Sequence, residues 1–182
     1  DGDTIGSGFA LCSALRAMGK KANVVCADEI PKKFQFLTVE PLDFEIKTVV
    51  SVDVDDEKLL GNLRETYQGK IELSIDHHDT NKQYAELLYC NAKAAAACEC
   101  VYSVICETQV NITPHIANCL YTGIATDTGC FKFSNTTAET HIIAAELIKL
   151  KADYAKINYA LFEQKSWARI AMERLVLERL EL

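Results

Sequence analysis

No uninterrupted apolar run in the chain approaches the ~20 residues that a membrane-spanning helix requires, so the sequence points to no membrane partner. Nor does it open on a basic-then-apolar leader, since it begins directly with DGDTIGS. Basic blocks are absent too. The 19 Lys and Arg residues are scattered among 26 Asp and Glu, and the formal net charge is −7. That balance speaks against a broad electrostatic grip on long duplex nucleic acid, but leaves a short anionic substrate open where metal ions supply positive charge locally. There is no CxxC pair, which removes support for a structural zinc site or a thioredoxin-like motif. Internal repeats and low-complexity tracts are missing as well. Histidine is scarce, with four in the chain, yet two of them stand side by side in SIDHHDTN.

What is present is ordinary for a soluble globular protein. The 182 residues are 49% apolar and 25% charged, enough for one well-buried domain or one domain plus part of a second. Cys12, Cys26, Cys98, Cys100, Cys106 and Cys119 sit within apolar helical or strand-like patterns. The cysteines are therefore read as mostly buried free thiols of a cytoplasmic protein.

Along the chain, GFALCSALRAMG has helical periodicity, with Leu11, Leu15 and Met18 on one face and Gly19 as its stop. ANVVCA reads as a short strand. After a loop holding Pro31 and Pro41, KTVVSVD is a β-branched run ending in an acid. DDEKLLGNL follows as a short helix or turn, and KIELSID is a second strand ending in an acid. AKAAAACECVYSVICE and ITPHIANCLYTGIAT are helical, with Pro114 suited to a first turn. FKFS reads as a strand, and Thr136 and Glu139 have capping-box spacing ahead of the helix HIIAAELIKL. Strands alternating with helices predict an α/β fold, a mostly parallel sheet flanked by helices. The expected division is a domain over residues 1–152 followed by connector helices over 153–182.

The acids recur where strands end. Asp53 closes KTVVSV, and Asp76 closes IELSI with His77 and His78 directly after it. Open parallel sheets place ligand sites just beyond the carboxyl ends of their strands, so these groups are positioned to converge. Asp127 lies in the glycine-flanked GIATDTG, and Asp1 and Asp3 stand at a helix start. Each acid alone has a plainer reading, as a helix cap, a solvated turn or a self-bonded turn residue. Adjacent imidazoles after a buried strand are harder to explain by packing. His115 and His141, at helix starts, carry no such signal. Carboxylates with imidazoles suit hard or borderline divalent cations, Mn²⁺ or Mg²⁺ before zinc. Two such ions about 4 Å apart would neutralise the acids, activate a water and steady an in-line phosphoryl displacement.

DGDTIGS, VDVDDEKLLG, the DHH of residues 76–78 and GIATDTGCFKFSNTT resemble, in order, the successive motifs of the DHH phosphoesterases. AKAAAACECVYSVI is similar to the Ala-rich segment that follows DHH in that family. The resemblance covers roughly residues 1–150 and is strongest to the branch of oligoribonuclease/pAp phosphatases and cyclic di-AMP phosphodiesterases. It implies two divalent cations, Mn²⁺ first and Mg²⁺ second, with Asp1 on one, Asp3, His77 and Asp127 on the other, and Asp53 bridging. His78 would face the substrate phosphate or support the cluster, Asp76 would orient the histidines, and a hydroxide activated by both cations would attack. The implied substrate is a small nucleotide or short single-stranded RNA; a homodimer stays open.

The family's first motif also carries a histidine four residues before the first aspartate, on the sheet's first strand. Its members in this branch have a smaller glycine-rich, histidine-containing C-terminal domain. Neither lies within this sequence, so the expectation is a fragment, inactive or nearly so alone. Competing functions are a single-strand DNA exonuclease, a manganese-dependent inorganic pyrophosphatase and a catalytically silent nucleotide-binding regulatory module.

Overall fold

The computed structural model describes residues 1–180. Helix α1 (Gly2–Ala17) starts where Asp1 Oδ1 accepts the amides of Asp3 and Thr4 at 2.9 and 3.0 Å, satisfying two first-turn donors. Its buried residues, Ile5, Phe9, Ala10, Cys12 and Ala14 among them, run nearly round the helix. The Leu11–Leu15–Met18 face expected to be the apolar one instead lines a cleft or lies exposed.

That cleft, of about 790 Å³, is lined by residues 20–26, by residues 44–52 and by Leu11 and Leu15 of α1. It accounts for a missing strand. ANVVCA has the β-branched composition for one, but a strand exists only with a ladder partner, and residues 22–26 form none. A short 3₁₀ turn (Lys32–Leu37) follows and buries Phe34 and Leu37.

Strand β1 (Val50–Val52) leads into a second 3₁₀ stretch (Glu57–Leu63), capped by Asp56 and kinked at Gly61, and into the single turn α2 (Arg64–Tyr67). Strands β2 (Leu73–Asp76) and β3 (Leu87–Cys90) complete a three-stranded parallel sheet of order β1-β2-β3. Val52 pairs with Ile75, and Asp76 with Cys90. All three strands thus end on the same side, where Asp53 and the DHH stretch emerge. β3 was not foreseen: LLYC is short and mostly exposed, so it has no alternation to reveal it.

Helices α3 (Ala97–Glu107), α4 (Pro114–Asp127) and α5 (Ala138–Lys149) follow. α1 and α4 cross closely because Gly6 and Gly123 remove the side chains that would hold them apart. A Cβ on Gly6 would strike the Cys119 carbonyl, and one on Gly123 would strike Cys98 Sγ. The core lies between these helices, with Leu120, Ile124, Val101 and Leu147 sealed from solvent. FKFS is a turn, not a strand. Gly129, Cys130 and Phe131 all take positive φ, the Thr128 carbonyl accepts from Lys132 and Phe133, and Phe131 stacks on His141. The capping box sits one residue later than expected, with Thr137 as cap and Thr140 as its reciprocal partner. Beyond it come α6 (Tyr154–Asn158), a π-helical turn (Tyr159–Glu163) and α7 (Trp167–Leu177), which has no buried residue.

Candidate metal centre

Ala96, the cap of α3, offers no side-chain acceptor, so the helix begins with unsatisfied amides. Asp3, from the far end of the sequence, supplies the acceptors. Its Oδ2 takes the Ala97 amide at 2.6 Å and its Oδ1 the Cys98 amide at 2.9 Å. Gly123 makes room: a Cβ there would lie 2.7 Å from Asp3 Oδ1. Each carboxylate oxygen keeps a second lone pair.

Asp76, at the end of β2, is fully buried and belongs to neither of the two metal-donor sets of the site. Its Oδ1 accepts the amide of His77 at 2.8 Å, the more distant amide of His78 at 3.3 Å, and His78 Nδ1 at 2.8 Å. Asn81 donates to its Oδ2 at 2.6 Å. Burial works to raise this carboxyl, but the bonds from Asn81, His78 and His77 outweigh it and hold it below the usual carboxylate range. The same bond acts on His78: burial works against its protonation, and Asp76 with Asp53 and Asp55 more than offsets that, so its pKa is raised. With Nδ1–H committed to Asp76, Nε2 of His78 is the nitrogen left free.

His77 has the opposite tautomer logic. Nδ1 faces the Ala94 carbonyl at 3.2 Å and donates to it, which leaves the Nε2 lone pair for the centre. Around Nε2 stand Asp53 Oδ1 at 3.6 Å, Asp127 Oδ2 at 3.7 Å and Asp3 Oδ2 at 3.9 Å. Asp53 follows β1 with φ +58, a conformation that costs a non-glycine residue energy and is retained where surroundings enforce it. Its amide bonds the Ile75 carbonyl, and its Oδ2 accepts from Thr4 Oγ1 at 2.6 Å. Asp127 closes α4, where Asn135 Nδ2 ties its carbonyl to that of Ala95.

Asp3, Asp53, His77 and Asp127 are thus brought together, with His78 at the rim. Two sets of donor atoms lie within 4.8 Å of one another, Asp3–His77–Asp127 and Asp53–His77–His78. Asp1 belongs to neither set; it caps α1 and reaches the cluster through Thr4, whose Oγ1 is 3.1 Å from Asp1 Oδ1. Packing acids together has a cost. Burial and the neighbouring charge of Asp53 push the Asp3 carboxyl up to about 8. Burial likewise raises Asp53. This oxygen-and-imidazole set fits hard or borderline divalent cations, which would relieve that repulsion. Sequence reasoning named the acids and histidines but missed Thr4, Asn81, Asn135 and Gly123. All four lie in or beside the stretches that drew notice, as short polar or small residues; the partner of Thr4 is 49 positions away, that of Asn81 only five.

Comparison with known proteins bears on this arrangement. The family model described as "DHH family, N-terminal domain" matches residues 1–124. A relative in Thermus thermophilus, named bifunctional oligoribonuclease and PAP phosphatase NrnA, is 34% identical over 176 residues, 93% of this chain and 53% of its own length. The protein of that name in Bacillus subtilis is 27% identical over 172 residues, 91% of this chain and 55% of its own length. The chain spans about half the length of the curated relatives it matches. Among solved structures, an exopolyphosphatase-related protein from Bacteroides fragilis superimposes with a TM-score of 0.91 at 22% identity, over 100% of this chain and 59% of that one. A putative family II inorganic pyrophosphatase from Methanococcus jannaschii gives 0.69 at 20%, over 88% and 58%. At such identities these likenesses speak for the fold alone.

Proposed function

The chain belongs to the DHH family, and from that membership and the cluster of acids and imidazoles we propose that it is the metal-binding domain of a phosphoester hydrolase acting on small nucleotides. The substrate class is oligoribonucleotides, pAp or cyclic and linear dinucleotides, in keeping with the names of the Thermus and Bacillus relatives. Residues 1–152 are the catalytic domain and 153–180 the connector helices; residues 181–182 of the expected span lie outside the described residues.

In this reading Asp3, His77 and Asp127 would hold one divalent cation, Asp53 would serve both, and Asp1 would contribute to the other. Mn²⁺ is the leading candidate, with Mg²⁺ second. The cations supply an activated water and positive charge for an in-line phosphoryl displacement. The protein's own part is to aim its donors. Ala94 fixes the His77 tautomer, the α3 amides hold Asp3, and Asp76 orients His78 and favours its imidazolium, whose Nε2–H would donate to a substrate phosphate. The observation that carries the proposal is His77 Nε2 standing within 3.9 Å of carboxylates from α1, from the end of β1 and from α4.

The test assays this chain, and the longest natural polypeptide that carries it, with Mn²⁺ against a short oligoribonucleotide, pAp and pyrophosphate. Hydrolysis of the first two by the longer polypeptide is expected, with little or none by this chain alone. Preference for pyrophosphate, or nucleotide binding without turnover in the longer polypeptide, would contradict the proposal.

A further inference from the structure

Thr4 links a carboxylate of the cluster, Asp53, to Asp1, which lies outside both donor sets. Its Oγ1 lies 2.6 Å from Asp53 Oδ2, across 49 positions of sequence, and 3.1 Å from Asp1 Oδ1. A hydroxyl has one proton to give. The shorter contact takes it, and Asp1 Oδ1 is already served by the amides of Asp3 and Thr4. Asp53 is 95% shielded from solvent at its side chain, with an exposure of 5%, and its backbone is held at positive φ. Of its two oxygens, Oδ2 is bound to Thr4 and Oδ1 faces His77 Nε2 at 3.6 Å and His78 Nδ1 at 3.8 Å.

We propose that Thr4 is a positioning residue of this centre: its hydroxyl anchors Oδ2 of Asp53, so that the carboxylate presents the single oxygen Oδ1 to the cations. The role rests on the metal-binding reading above and adds to it the manner in which Asp53 binds. Without the anchor, the carboxylate turns about its Cβ–Cγ bond and offers both oxygens, or neither in the right direction. Groups that orient a metal ligand are worth about 10- to 100-fold in affinity. The first turn of α1 is the right place for such a group. Thr4 is fixed there by its own amide bond to Asp1, so the α1 cap and the end of β1 are joined through one side chain.

The experiment compares Mn²⁺ binding and the electron paramagnetic resonance spectrum of bound Mn²⁺ in the wild-type chain, Thr4→Val and Thr4→Ser, with folding checked by circular dichroism. Valine keeps the shape and removes the hydroxyl; serine keeps the hydroxyl and removes the methyl. Affinity about 10- to 100-fold weaker in Thr4→Val with an altered spectrum, and wild-type behaviour in Thr4→Ser, is the expected result. Wild-type affinity and spectrum in Thr4→Val would overturn the role while leaving the metal centre standing. Equal losses in both variants would overturn it too, because a retained hydroxyl in Thr4→Ser would then fail to preserve what Thr4→Val loses. Absence of saturable Mn²⁺ binding in the wild-type chain would remove the metal centre and this role together.

Discussion

At Asp3 the carboxyl is pushed up to about 8 by burial and by the charge of Asp53, so the metal-free fold holds a proton at neutral pH that the unfolded chain has released. The sign follows from that difference. A folded-state pKa raised above the unfolded value gives stability that is complete at low pH and lost as pH rises through the window up to about 8. His78, also raised, acts in the same direction, whereas Asp76, held low, loses its contribution only in more acidic solution. Between about pH 5 and about pH 8 the melting temperature of the metal-free chain is therefore expected to fall, and to fall less in Asp3→Asn. A rise across that range, measured by calorimetry with chelator present, would contradict the assignment. The second prediction at this scale concerns His78. Its Nδ1 is committed to Asp76, so His78→Ala should lower turnover in the longest polypeptide while Mn²⁺ stoichiometry is unchanged; loss of a cation instead would make His78 a ligand. The acids and paired histidines were legible because charge that ends a buried strand has few structural uses. Thr4, Asn81 and Asn135 were not, since a hydroxyl or amide is common in turns and only the partner it finds in the fold gives it meaning.

At the scale of elements, the site depends on how closely α1, α3 and α4 approach. Gly123 is the tightest point, between Cys98 and Asp3. Gly123→Ala should destabilise the chain by about 1–3 kcal/mol in urea denaturation, because the added methyl cannot be absorbed without moving a helix or the Asp3 carboxylate. Stability equal to wild type would show that the crossing is looser than described. The helices and two of the strands, β1 and β2, could be read from pattern and composition, but the third strand could not. ANVVCA has strand composition and forms none, because β-propensity is expressed only beside a partner and a cleft lies where a partner would be. β3 has little pattern and forms a strand because β2 offers it an open edge. FKFS was misread because the three consecutive positive φ values at Gly129, Cys130 and Phe131 include only one glycine to announce them.

Over the whole molecule, all eight cysteines are free, but their placement is mixed. Cys12, Cys98, Cys100 and Cys119 are buried as the apolar patterns suggested, whereas Cys26 and Cys106 are exposed. Burial pushes the Cys100 and Cys119 thiols up to about 12, well outside the reactive range. Denatured, non-reduced protein should titrate with eight thiols, the exposed pair reacting first in the native state; three or more disulfides by mass would refute the reading. No helix among the described residues is long and apolar enough to cross a membrane. The parallel α/β plan was legible because two strands ending in acids, β1 and β2, stand between helical stretches of the sequence. The unburied surface of α7, with Trp167 86% exposed, was not, since its apolar residues read like those of any packed helix.

The central claim is that side chains from α1, β1, β2 and α4 meet to hold divalent cations, and it is tested most directly by titrating the chain with Mn²⁺ under equilibrium dialysis, wild type against Asp53→Ala. The account predicts saturable binding that approaches two ions per chain, strengthens as pH rises and is largely lost in the variant. A flat isotherm for the wild type, or one that Asp53→Ala leaves unchanged, would contradict it.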